Sequence, residues 1–332
     1  MALKIYYDKD CDIELLKQKT VAIIGFGAQG VAQAANLRDS GIPLIVGLRR
    51  EKGSSWVNAV KQDFDVRPIA EAVQVADLVM LLIPDEVQAE VYEKKIASNL
   101  KEGATIGFAH GFNIHYGYIN PGKGINVMMV APKGQGKAVR STFEEGGGVA
   151  ALWAVANDAS GNTKDLALAY AAANGCGRTG IIETTFKNET ESDLFSEQSV
   201  LCGGMMDVVL AGFETLTEAG YPPEIAYFEC LHELKLVVDL LYEGGYKYMR
   251  ETISNTAEYG AMVAGKQIVT PDVRKAMRDI LKDIQSGKFA DDFMEEATEG
   301  YKHLKEDREK LANHPIEEVG GRLRKIIFKN KL

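Results

Sequence analysis

The chain has 332 residues, 46% of them apolar, and a net charge of −9. That length exceeds what one compact core usually takes and predicts two domains, while the acidic balance excludes the basic footprint of nucleic-acid or anionic-membrane binding. No apolar run reads as long enough to span a bilayer, the start is no signal peptide, and four scattered cysteines make neither a metal site nor a disulfide scaffold, so a cytoplasmic protein is expected.

The first half alternates strands and helices. Thr20 to Ile24 reads as a buried strand running into Gly25-Phe26-Gly27-Ala28-Gln29-Gly30, and Val31 to Asp39 has helical spacing. Strand, glycine turn and helix form the context of a dinucleotide fingerprint. The first glycine makes the turn, the second lets backbone approach the pyrophosphate, and the third lets the helix pack on the strand. The helix N-terminus then faces the phosphates. The second strand, Pro43 to Leu48, ends at Arg49-Arg-Glu-Lys-Gly-Ser54-Ser55-Trp56. Arg49 and the two serines suit the 2′-phosphate of NADPH, whereas Glu51 suits the ribose hydroxyl of NADH, so the preference between the two stays open.

Asp77 to Pro84 reads as a third buried strand, with Asp85-Glu86-Val87-Gln88 opening the next helix. His110 follows the strand begun by Thr105, and Lys133 follows the strand begun by Asn126. Residues just past the carboxyl ends of parallel strands face the ligand in such a sheet, which makes His110 and Lys133 candidates for catalysis. Two more strand-like pieces, Val149 to Val155 and Gly180 to Ile182, flank an Ala-rich helix over 164–174. The alternation then stops, and a domain boundary is placed between residues 182 and 183.

From Glu191 the pattern is helical, with helices expected over 191–219, 224–242, 246–264, 271–286 and 288–312, and the charged end of the chain reads as a solvated helix face rather than a binding arm. Asp193 and Glu197 stand four apart, as do Glu229 and Glu233, so each pair shares a helix face. The second pair shares its face with Leu236, Val237 and Leu240. Carboxylates directed into a core repel one another and are costly to bury without a cation. Neither face carries a Lys or Arg, and four oxygen donors suit Mg²⁺ better than Zn²⁺. The competing reading is two ordinary acidic faces in solvent. Ser254, in a polar stretch from 254 to 260, is a candidate for holding a substrate carboxylate.

The glycine fingerprint, Phe-Ala-His-Gly (108–111), Ala-Pro-Lys-Gly-x-Gly (131–136), Glu-Ser-Asp-Leu-Phe-x-Glu-Gln (191–198), Glu-x-x-x-Glu-Leu-Lys (229–235) and Ser-Asn-Thr-Ala-Glu-Tyr-Gly (254–260) occur in that order. In this order they resemble the short form of ketol-acid reductoisomerase along essentially the whole chain. The resemblance implies an α/β N-terminal Rossmann-type, doubly wound domain followed by an all-α, knotted, dimerising C-terminal domain. It implies two Mg²⁺ ions between the domains, with Asp193 bridging them, Glu197 on one, and Glu229 and Glu233 of a neighbouring subunit on the other. Ser254, also from the neighbour, matches the substrate contact, His110 the active-site histidine, and Lys133 a lysine beside the metals. Phe26 to Gln29, Arg49, Ser54, Ser55, Asp85 to Gln88 and Gly136 match the cofactor shell. The activity implied converts 2-acetolactate or 2-aceto-2-hydroxybutyrate to a 2,3-dihydroxy acid of branched-chain amino-acid synthesis. An alkyl group migrates, and NADPH or NADH then reduces the product. The enzyme implied is a homodimer, possible assemblies of dimers included, with no nucleic-acid or membrane partner. The rival reading is a metal-free, hydroxyacid-type dehydrogenase, which explains the glycines but gives the four acids no task.

Overall fold

The computed structural model describes residues 3–49 and 53–328. The chain divides into two compact units, Met1–Ser192 and Asp193–Leu332. Among the described residues the first unit has nine strands: β1 (Ile5–Tyr6), β2 (Val21–Ile24), β3 (Leu44–Leu48), β4 (Val66–Pro68), β5 (Leu78–Leu81), β6 (Thr105–Phe108), β7 (Asn126–Pro132), β8 (Ala151–Asn157) and β9 (Ile181–Glu183). They form one sheet in the order β1-β9-β8-β7-β6-β5-β2-β3-β4.

Every residue of β2, β5, β6 and β7 is buried, as continuous apolar runs require when helices cover both faces of a sheet. The two faces are distinct cores. Val21, Ile23, Leu78, Met80, Met128 and Val130 belong to one cluster. Their strand neighbours Ala22, Ile24, Val79, Leu81, Val127 and Met129 belong to the other. That alternation is the period of two of a pleated strand, and each fully buried aliphatic side chain contributes roughly 1.5–3 kcal/mol.

Strands β2, β3, β5, β6 and β7 run parallel, so their carboxyl ends lie along one edge. The chain order reverses at β2, which has β3 on one side and β5 on the other, and such a reversal opens a crevice. The sheet as a whole is mixed, because β8 pairs antiparallel with β7, and β1 with β9. The sequence gives no warning of β1 and β4. At two and three residues they are too short to display alternation, and β4 ends on Pro68 at the sheet edge, where no ladder N–H is needed.

The second unit is helical, and glycines, prolines and caps set its breaks. Helix Gly203–Glu218 ends before Gly220, whose φ is 89°, and Pro223 opens the next helix. The Thr270 hydroxyl accepts from the Val273 N–H ahead of helix Pro271–Ser286, which Gly287 closes with φ 84°. The break expected at Gly244–Gly245 is present, with Gly245 at φ 70° and ψ −172°, but two of the helix spans expected from sequence need correction. Residues 246–264 are divided, because one helix ends at Thr252 and the next starts only at Asn255. Gly300 and Tyr301, both at positive φ, divide residues 288–312 into two helices. The charged end of the chain is helical as expected, in helix Pro315–Ile327, but not wholly solvated, since its Ile316 and Val319 join Val209, Phe213, Ala226 and Tyr227 in a buried cluster.

Two further expectations are overturned. The stretch Phe186–Glu218 contains an 18-residue window of mean hydropathy 1.4, long and apolar enough by length and composition to cross a membrane, and only 11% of that window is buried within the chain. The second acidic pair does not point into a core of its own chain. No residue of helix Glu233–Thr252 is buried, Glu229 and Glu233 are exposed, and Leu236 is 55% exposed. An apolar helical face identifies surface that can be covered; it does not identify what covers it.

Candidate active site

The fingerprint glycines do three separate things. Gly25 has φ 108°, and a Cβ there would lie 2.5 Å from the Leu82 carbonyl oxygen just past β5. At Gly30 a Cβ would lie 2.3 Å from the Gly25 carbonyl oxygen, so this position lets the helix sit down on the turn. At Gly27 a Cβ would meet nothing within 4 Å. Its lack of a side chain therefore serves no packing need of the protein and leaves open space in front of helix Ala28–Asp39. Gly27 is the N-cap of that helix and makes no side-chain cap bond, so the first-turn N–H groups are not satisfied by a capping oxygen. Open space and unspent donors at a positive helix end fit a pyrophosphate.

Around this cradle the polar side chains mostly serve as struts. Gln29 donates to the Gly134 carbonyl at 2.9 Å, tying the fingerprint to the loop after β7. Gly136 packs on the same turn, where a Cβ would come within 2.2 Å of the Ala28 carbonyl oxygen. Gln88 is buried and donates to Ile83 O and Asp85 Oδ1, while Asn113 donates to Gln88 Oε1 and Asp85 O. These bonds fix the turn that places Asp85, Glu86 and Val87 past the end of β5. Arg49, just past β3, is exposed to solvent, and Ser54 and Ser55 open helix Ser54–Lys61. Arg50, Glu51 and Lys52 lie outside the described residues.

At the ends of β6 and β7 stands a carboxylate that the sequence reading passed over. Glu189, on helix Phe186–Ser196, is 1% exposed. It lies 3.0 Å through Oε2 from His110 Nδ1 and accepts from the Gly111 N–H at 3.0 Å and from Lys133 Nζ at 2.8 Å. Burial alone would push this carboxyl up. The hydrogen bond and charge of His110 and those of Lys133 outweigh it and hold the group at about 2, below its ordinary 4.5. An ionised carboxylate only accepts, so the His110 Nδ1 that faces it carries a proton. Gly111 is needed for this closeness, since a Cβ there would lie 2.3 Å from Thr190 Oγ1. The two side chains singled out from strand ends are thus joined through one anion. Its only sequence signal was an acid one helical turn before Asp193.

Asp193 lies one turn after Glu189 and is partly buried, while Glu197, Glu229 and Glu233 are exposed. The backbone widens into π-helical turns at both acidic motifs, Glu197–Leu201 and Phe228–His232, a distortion that recurs at functional sites. Ser254 is the exposed N-cap of helix Asn255–Ile268 and accepts from the Ala257 N–H at 3.2 Å.

Residues 15–180 match the family model described as acetohydroxy acid isomeroreductase, NADPH-binding domain, and residues 186–328 match ketol-acid reductoisomerase, C-terminal domain. This chain belongs to the ketol-acid reductoisomerase family. Among relatives, the ketol-acid reductoisomerase (NADP(+)) of Sulfurimonas denitrificans is 57% identical over 98% of this chain and 96% of its own. That of Campylobacter hominis is 55% identical over the same shares. A solved structure, the NADH-preferring ketol-acid reductoisomerase from an uncultured archean, superposes with a TM-score of 0.95 at 46% identity, covering 97% of this chain and 98% of that one. As a ketol-acid reductoisomerase, the protein is an enzyme, both oxidoreductase and isomerase, with a Rossmann-like first domain and a helical second one.

Proposed function

We propose that this enzyme carries out the Mg²⁺-dependent conversion of 2-acetolactate or 2-aceto-2-hydroxybutyrate into the corresponding 2,3-dihydroxy acid, an alkyl migration followed by reduction. The supporting observation is the open cradle at Gly27, on the same sheet edge that carries the His110–Glu189–Lys133 cluster. In this reading residues 1–182 bind the dinucleotide, with NADPH or NADH seated by the N–H groups of the Gly27 turn and by Arg49, Ser54, Ser55 and the 85–88 turn. The nicotinamide supplies the hydride.

Residues 183–332 supply metal, substrate and dimer contacts. Asp193 and Glu197 of one subunit, with Glu229 and Glu233 of a second, are the proposed ligands of two Mg²⁺ ions. A donor set made only of carboxylate oxygens fits that hard cation. When bound, the ions act as Lewis acids and as a template for the substrate oxygens. The chain's own part is to orient and to handle protons. Lys133 presents a cation held by Glu189, His110 offers Nε2 for proton exchange, and Ser254 of the second subunit hydrogen-bonds the substrate carboxylate. Dimerisation is supported by the apolar surface that the helical unit leaves uncovered, including Val208 at 60%, Tyr246 at 79%, Met262 at 52% and Ile268 at 62% exposure.

Steady-state turnover of 2-acetolactate with NADH and NADPH side by side, with and without Mg²⁺, tests the reading. Metal-dependent dihydroxy-acid formation supports it. Hydride transfer that survives EDTA favours a metal-free dehydrogenase instead.

A further inference from the structure

The helix that carries Glu189 is gripped by one short segment on more than one side. Glu189, Thr190 and Glu191 are 1%, 0% and 8% exposed, three consecutive buried positions. Successive residues of an α-helix are about 100° apart, so positions 189 and 191 point roughly 200° apart, and no flat neighbour reaches both. Residues 110–115 reach both by wrapping. At one end His110 and the Gly111 N–H hold Glu189. In the middle Gly111 sits so close that an added Cβ would lie 2.3 Å from Thr190 Oγ1 and 3.0 Å from the Phe186 carbonyl oxygen. At the other end His115 Nε2 lies 3.3 Å from Glu191 Oε1, with side chains 17% and 11% exposed. Phe112 fills the span between the two histidines, stacked with His110 at 6.4 Å and edge-on to Tyr116 at 5.1 Å.

We propose that His115 and Glu191 are positioning residues, the outer latch of a collar that fixes the rotation of helix Phe186–Ser196 about its own axis. A carboxylate at the outer radius of a helix, about 5–6 Å from the axis, moves about 1 Å for every 10° of rotation. Glu189 has hydrogen bonds of 2.8–3.0 Å to keep with Lys133 and Gly111, so a turn of that size breaks its geometry. A misplacement of about 1 Å at a reacting site costs up to about a hundredfold in rate. The latch acts on the cluster through the helix. The inference uses the proposed turnover for one of its readouts and rests on geometry for the other.

The test uses the full-length protein and the variants His115→Ala, Glu191→Ala, Glu191→Gln and the double alanine variant. With 2-acetolactate, Mg²⁺ and nicotinamide cofactor, each alanine variant is expected to lose about tenfold in kcat, the scale typical of partners that orient site groups. KM for the cofactor should change less than twofold, and the double variant should be no slower than either single one. Glu191→Gln still accepts a hydrogen bond from His115 and should keep the wild-type kcat, a rescue that a purely electrostatic role would deny. Hydrogen exchange of the amides over 186–196 is read in the same proteins without substrate. It should quicken about tenfold in the alanine variants and stay as in wild type in Glu191→Gln. Unchanged exchange and kcat in both alanine variants overturn the proposal, as does a Glu191→Gln protein as impaired as Glu191→Ala. Should the wild type fail to turn over the keto acid, the proposed function falls, and the exchange result alone decides for or against the latch.

Discussion

Replacing Glu189 by Gln removes one charge and almost no volume, yet it strikes a buried carboxylate held by three partners. The native oxygens serve three donors: His110 Nδ1, the Gly111 N–H and Lys133 Nζ. A glutamine has one oxygen to offer, and its NH₂ must face a donor whichever way the amide is turned. Holding the carboxyl at about 2 rather than 4.5 corresponds to roughly 3 kcal/mol favouring the charged form, since one pKa unit is worth about 1.4 kcal/mol. Breaking a buried ion pair by removing one partner costs about 3–5 kcal/mol, the same scale. Both tryptophans, Trp56 and Trp153, lie in the unit that holds Glu189, so urea unfolding followed by their fluorescence reports on that unit. In EDTA at pH 7 the variant should unfold at a clearly lower urea concentration, with about 3 kcal/mol lost. The folded value lies below the unfolded one, so this contribution is complete above about pH 4.5 and fades as pH falls toward 2. Wild type and variant should therefore converge only in that acid range. Equal midpoints at pH 7, or a gap that does not shrink below pH 4.5, would refute the assignment of Glu189 as the ionised hub of His110 and Lys133.

The glycine fingerprint gives a paired test: Gly27→Ala should fold with wild-type thermal stability and bind nicotinamide cofactor at least tenfold more weakly, because its Cβ enters space reserved for the ligand. Gly30→Ala should instead lose stability, seen as a lowered melting temperature, since its Cβ would lie 2.3 Å from the Gly25 carbonyl oxygen. Changing Glu229 to Gln should abolish Mg²⁺-dependent isomerisation while leaving cofactor affinity, measured by fluorescence titration, nearly unchanged; wild-type turnover would remove Glu229 from the ligand set. Among the cysteines, burial pushes the Cys176 thiol up to about 12 whereas Cys202 is exposed. Mass spectrometry after brief alkylation at pH 8 should therefore find Cys202 modified and Cys176 intact.

Much of the first unit was legible because its signals are local. A fully buried parallel strand writes itself as an unbroken apolar run, as Val21–Ile24 and Asn126–Pro132 do, and the fingerprint glycines report contacts within a few residues. The acidic motifs were legible as patterns of spacing and order. Their surroundings were not: the apolar face beside Glu229 and Glu233 is no core of this chain, with Leu236 exposed and Val237 and Leu240 only partly buried. Gly300 was read through as helix because a single glycine costs only about 1 kcal/mol there, whereas Gly287, one residue past a polar turn, stops its helix visibly.

By itself the sequence determined which long apolar runs become buried strands, where the cradle glycines stand, and that His110 and Lys133 end neighbouring strands. Those facts depend on residues within one or two turns of each other. Only the tertiary structure decided that one buried acid joins them. Glu189 is 79 residues from His110 and 56 from Lys133, and its ionised state arises from cations brought to it by folding. Burial and charge at a site are sums over neighbours distant in the chain, and a linear pattern does not contain them.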